Sequence, residues 1–174
     1  MKTLILGGVK SGKSRLAERL ASNTGKPVIY IATAQALDEE MRQRIELHQA
    51  QRPNHWRLIE EPIFLANCLQ QHAQADQCIL VDCLTLWLNN LLCTDDKRLV
   101  TKETSALLDC LHAIPGDVIF VTNETNMGII PMGDLSRRFC DEAGKLHQAL
   151  ATSCDNVILT VAGLPQVLKG QLHE

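Results

Sequence analysis

The chain has 174 residues, 45% hydrophobic and 21% charged, which suits one domain with a substantial core and leaves no room for two sizeable ones. A net charge of −3 without a long basic run, and only 3% aromatic residues, give no basis for a nucleic-acid-binding surface. No stretch is apolar over the length that a membrane crossing needs, and no signal peptide opens the chain.

The first apolar run, Thr3-Leu4-Ile5-Leu6, reads as a buried strand. Gly7-Gly8-Val9-Lys10-Ser11-Gly12-Lys13-Ser14 follows it, matching G-x-x-x-x-G-K-S, the phosphate-binding loop pattern. Leu16, Ala17, Leu20 and Ala21 then recur at helical spacing, and Gly25 before Lys26-Pro27 ends that helix. Strand, glycine loop and helix are the context in which such a loop binds a nucleotide. Gly7, Gly8 and Gly12 are expected to free the backbone so that successive N–H groups face phosphate oxygens. The helix start adds its unpaired donors. Lys13 supplies a mobile positive charge for the outer phosphates, and the Ser14 hydroxyl is placed to ligate magnesium. Lys10 meets either phosphate or solvent.

Val28-Ile29-Tyr30-Ile31 is a second strand, ending in Ala32-Thr33-Ala34. The pattern predicts a helix over 37–51, with Asp38, Glu39 and Glu40 at its positive end. Leu37, Met41, Ile45 and His48 share one stripe of it. On spacing alone, His48 is therefore a core or interface residue. His55 to Ile59 alternates as a short strand before Glu60, and Ile63 to Gln74 is helical with Phe64, Leu65, Cys68 and Leu69 inward. Cys78-Ile79-Leu80-Val81 runs straight into Asp82. An apolar strand ending in a carboxylate downstream of a phosphate loop is the Walker B arrangement, in which Asp82 holds Mg²⁺ directly or through water. The plainer alternative makes Asp82 a cap for a helix over 84–92.

A polar loop at 94–99 precedes a helix that ends near Ala113, and Asp117 to Val121 is another buried strand. Thr122-Asn123-Glu124 and the glycine-bearing loop Asn126 to Pro131 follow. Asn123 and Glu124 either shape this loop or touch ligand. Asp134 is a good N-cap for a long helix carrying Leu135, Phe139, Ala143, Leu146 and Leu150 inward, with Arg137 and Arg138 either on a solvated face or reaching an anionic ligand. Asn156 to Val161 is the last predicted strand, and Gly163-Leu164-Pro165 leads into a polar tail.

This alternation predicts a single α/β domain over 1–174, of P-loop NTPase type, with a mainly parallel sheet flanked by helices. Loops at the carboxyl ends of parallel strands form the ligand crevice, which puts Thr33, Asp82 and Glu124 on the side of the phosphate loop. The seven cysteines include no C-x-x-C pair or zinc spacing. They fit reduced thiols in a cytoplasmic protein.

The motifs also occur in a telling order. G-G-V-K-S-G-K-S at 7–14, Y-I-A-T-A at 30–34, R-I-E-L-H at 44–48 and R-P-N-H-W at 52–56 come first. L-V-D-C-L-T at 80–85, V-T-N-E at 121–124 and M-G-I-I-P at 127–131 follow. Together the chain resembles the bifunctional adenosylcobinamide kinase / adenosylcobinamide-phosphate guanylyltransferase family of cobalamin biosynthesis. The resemblance implies two reactions. In the first, ATP or GTP phosphorylates the aminopropanol hydroxyl of adenosylcobinamide. In the second, GTP guanylylates a histidine with loss of pyrophosphate, and adenosylcobinamide phosphate accepts the GMP.

By the same resemblance the guanylylated residue is His48. Nucleotide contacts fall on 7–14, Ala32, Thr33, Ala34, Gln49, Ala50, Gln51, Arg52, Glu60 and Asp82, and the assembly is a homotrimer. A neutral imidazole suits the role, since its ordinary pKa of about 6.5 leaves it nucleophilic near neutrality. Relatives often carry Arg at Lys10 and Glu at Asp82, swaps that keep the charge. They commonly carry Gly at Asn126, and their C-terminal ending differs. The rival readings are a P-loop small-molecule kinase without guanylyl transfer and a nucleotide-dependent binding or switch protein.

Overall fold

A computed structural model describes residues 1–35, 39, 42–43 and 53–172. The elements in order are β1 (Lys2–Gly7), α1 (Lys13–Asn23), β2 (Val28–Ala32), β3 (Arg57–Glu60), α2 (Leu65–His72) and β4 (Cys78–Asp82). They continue with α3 (Leu84–Leu92), α4 (Leu99–Leu111), β5 (Asp117–Asn123), α5 (Asp134–Ser153), β6 (Asn156–Val161) and β7 (Leu164–Lys169). The strands form one sheet in the order β3-β2-β4-β5-β1-β6-β7. Every pairing is parallel except β6 with β7.

Parallel strands buried on both faces are apolar throughout, which is why their sequence runs are unbroken. Alternate residues go to opposite layers. Leu4, Ile31, Val81 and Phe120 pack with α2 to α5 on one side, while Ile5, Tyr30, Leu80 and Val121 pack with Leu16, Ala17 and Ala21 of α1 on the other. Trp87 of α3 is fully buried, and its indole N–H donates to Ile63 O at 2.8 Å.

The expected α/β architecture is present, with four local departures. The C-terminal stretch expected as a polar tail is strand β7, joined to β6 by a tight turn at Ala162 and Gly163, both at positive φ. Pro165 argues against a strand in sequence, but β7 pairs only with β6 and is an edge, where a missing N–H is tolerated. Phe64 lies outside α2 and is half exposed, not inward. Gly133, not Asp134, is the N-cap of α5, while Asp134 in the first turn pairs with Arg137. Leu135 is exposed, so the buried stripe of α5 is Ala143, Leu146, His147 and Leu150. The helix predicted over 37–51 falls almost entirely outside the described residues.

Candidate active site

β1 ends at Gly7 and α1 starts at Lys13, with the phosphate loop between them. Gly7 is required by crowding: a Cβ there would lie 2.4 Å from Ser11 Oγ and 2.7 Å from Thr160 O. Gly12 is required twice, by a φ of 97° and by Gly163 Cα, 3.1 Å from where its Cβ would stand. Gly8 has neither constraint, and the remaining left-handed position is Lys10 with φ 55°. The expectation that all three glycines free the backbone thus holds for Gly12 alone; Gly7 is needed for close packing instead. Ser11 is buried and its hydroxyl has no hydrogen-bond partner among the described residues, while its N–H donates to Gly8 O at 3.2 Å and its carbonyl accepts from Gly163 N–H at 2.8 Å. Lys13 Nζ curls over the loop and donates to Gly8 O at 3.2 Å.

Strand register places the other expected residues along one edge of the sheet. Glu60 pairs with Ala32, Ala32 with Asp82, and Asp82 with Val121, while Gly7 pairs with Asn123. β5 therefore separates the Asp82 strand from the phosphate-loop strand. At ~4.8 Å per strand, β4 lies about 10 Å from β1, and Glu60 at the edge about 19 Å from it. Ser14 and Asp82 offer a hydroxyl and a carboxylate, a pure oxygen donor set that suits magnesium completed by water and phosphate oxygens.

Thr33 is fully buried and every polar atom it has is engaged. Its hydroxyl donates to Cys83 O at 2.7 Å and accepts from Cys83 N–H at 2.9 Å. Its N–H donates to Asp82 O at 3.3 Å, and its carbonyl accepts from the buried Asn90 side chain at 2.8 Å. Thr33 thus fixes the backbone that carries Asp82.

A second buried network sits at the tip of β5. Thr122 Oγ1 lies 3.0 Å from His147 Nε2 and 3.3 Å from Thr85 Oγ1, which itself accepts from Asn123 N–H at 2.7 Å. His147 Nδ1 is 3.8 Å from Glu124 Oε2. Burial pushes the His147 pKa below its ordinary value, and the Glu124 charge opposes that only in part. Glu124 N–H donates to Gly7 O at 3.0 Å, tying this network to the phosphate loop.

The sequence profile described as cobinamide kinase / cobinamide phosphate guanyltransferase matches residues 3–168. The chain belongs to this family.

Curated relatives agree over the full length. The bifunctional adenosylcobalamin biosynthesis protein CobP of Pseudomonas aeruginosa is 59% identical over 98% of this chain and 99% of its own. The bifunctional CobU proteins of Escherichia coli and Salmonella typhimurium are 37% and 38% identical, over 97% of this chain and all of theirs. Two activities in the family description favour the bifunctional enzyme over a kinase alone. Among solved structures, a Pyrococcus horikoshii OT3 protein matches with a TM-score of 0.57 at 8% identity, covering 98% of this chain and 87% of its own. The RadB recombinase matches at 0.51 and 17%, over 91% and 73%. At these identities the likeness speaks for the fold alone.

Of the residues the family resemblance points to, the loop 7–14 and Asp82 come together on one sheet edge. Ala32, Thr33 and Ala34 lie beyond Asp82, and Glu60 is exposed at the far strand. His48, Gln49, Ala50, Gln51 and Arg52 lie outside the described residues. Sequence reasoning passed over Thr85, Asn90, Thr122 and His147. Thr85 and Thr122 stood inside two of the family strings, but a threonine beside a strand end carries no signal until its partner is known.

Proposed function

We propose that this chain carries out both family reactions, on adenosylcobinamide and then on adenosylcobinamide phosphate, with ATP or GTP as phosphoryl donor and GTP as guanylyl donor. The observation that carries this reading is the phosphate loop facing Asp82 on one sheet edge, in a chain that matches bifunctional relatives end to end. Backbone N–H groups of the loop and Lys13 hold the phosphates and offset charge that moves to the leaving group. Ser14 and Asp82 would hold Mg²⁺, which would supply Lewis-acid charge to the phosphates.

In the second reaction a neutral His48 nitrogen attacks the α-phosphorus of GTP, forming a P–N bond and expelling pyrophosphate. The phosphate of the phosphorylated corrinoid then displaces the histidine, and the single displacement becomes two. Nucleotide contacts at Ala32, Ala34, Gln49 to Arg52 and Glu60 belong to the same reading, as do a homotrimeric assembly and a cytoplasmic location, whereas Thr33, fully buried with its polar atoms engaged inside the protein, holds the backbone instead. No helix among the described residues is long and apolar enough to cross a membrane.

The test is to incubate the protein with Mg²⁺, GTP and adenosylcobinamide and to follow the corrinoid by mass spectrometry. Successive appearance of the phosphate and the GDP derivative is expected. A corrinoid that stops at the phosphate returns the chain to a plain kinase.

A further inference from the structure

The loop between β5 and α5 displays its apolar residues. Met127, Ile130 and Met132 are largely exposed and Ile129 is 98% exposed. Exposed apolar clusters on an otherwise ordinary soluble domain mark a contact surface. The loop is nonetheless built firmly at both ends. At its root, Glu124 Oε1 accepts from Asn126 N–H at 2.6 Å, and the Asn126 amide donates to Cys140 O at 3.0 Å. Gly144 makes that approach possible, since a Cβ there would stand 3.0 Å from Asn126 Nδ2. At its far end Arg137 donates to the carbonyls of Pro131 and Met132.

Behind the loop lies an open groove of about 360 Å³. Its apolar wall includes Ile129, Leu135 and Phe139, its polar points include Asn89, Thr125 and Ser136, and among the described residues no charged side chain lines it. The groove adjoins the phosphate loop, because Glu124, the neighbour of its lining residue Thr125, donates its N–H to Gly7 O at 3.0 Å. An apolar wall with a few neutral hydrogen-bonding groups suits a broad ring fringed with methyl and carboxamide groups.

We infer that the 125–132 loop and the groove behind it seat the corrin ring of the substrate, leaving its aminopropanol arm to reach the phosphate loop. This inference rests on the functional reading above. The groove holds one edge of the macrocycle and leaves the rest exposed, so binding energy gathered far from the reacting hydroxyl sets affinity for the corrinoid and not for the nucleotide.

The test compares wild type with the Ile129→Ser/Met132→Ser double variant in steady-state kinase assays, varying adenosylcobinamide at saturating nucleotide. KM for the corrinoid is expected to rise at least tenfold, with kcat within threefold and nucleotide KM unchanged. Leu168→Ser, on an exposed leucine at the far end of β7, is the control and leaves all three values in place. Ile129→Ser alone keeps the test valid should the double variant misfold, because its side chain is almost wholly in solvent. An unchanged corrinoid KM in a folded variant overturns the inference. So does loss of assembled mass in light scattering, which would make the loop a contact between copies. A wild-type protein that phosphorylates no corrinoid overturns the functional reading itself, and the two failures are thereby distinguished.

Discussion

Gly163 N–H donates to Ser11 O at 2.8 Å, so the turn between β6 and β7 braces the phosphate loop from below. Gly163 takes φ 81°, a conformation that costs a side-chain-bearing residue about 1–2 kcal/mol. Gly163→Ala is expected to relax by shifting the turn, which moves the brace off Ser11. Nucleotide affinity measured by calorimetry should fall on the order of tenfold, and an unchanged affinity in a folded variant would show that the brace is idle.

Thr33→Val keeps the shape of the side chain and deletes both hydrogen bonds to Cys83. Leaving those buried backbone groups unpaired costs about 2–4 kcal/mol, a fall in Tm on the order of 5–15 °C for a chain of this size. Because Asp82 is the preceding residue, the magnesium concentration for half-maximal activity should also rise. Thr33→Ser, which retains the hydroxyl, should restore most of both values.

His147 makes stability depend on pH. Its folded pKa is depressed by burial below the ordinary 6.5, so the unfolded chain binds the proton more readily. Stability is then unaffected well above pH 6.5 and declines as the pH falls below it, by at most about 1.4 kcal/mol per pH unit. Urea unfolding between pH 5 and 8 should show this slope in wild type and a flatter one in His147→Gln. Parallel curves for the two proteins would contradict it.

The cysteines should divide by burial. Cys68, Cys78, Cys83, Cys110 and Cys154 are buried, and burial raises their thiol pKa to about 11 or 12. Cys93 is exposed. A thiol reagent at pH 8 should modify Cys93 rapidly and these five only on unfolding, as peptide mapping would report.

What the sequence made legible follows from which forces act locally. The strands announced themselves because a sheet covered on both faces needs unbroken apolar runs, as in Ile79 to Val81. The phosphate loop did so because its geometry admits few residue types at Gly7 and Gly12. β5 inserted between β1 and β4 is a matter of long-range pairing, and no spacing between Gly7 and Asp82 encodes it. β7 was hidden by Pro165 and by Ala162-Gly163, a turn pair that is not among the usual two-residue hairpin signals. His48 is the sharpest contrast: its periodicity argued for a core position, and only the combined motifs pointed to chemistry.

In the proposed second reaction, His48 carries GMP between GTP and the corrinoid phosphate. The direct measurement is intact mass after incubation with Mg²⁺ and α-labelled GTP, without corrinoid. The expected result is an acid-labile, alkali-stable GMP adduct that is absent in His48→Ala and is discharged by adenosylcobinamide phosphate. A protein that binds GTP tightly yet carries no label, or one that keeps its label in His48→Ala, would contradict the claim.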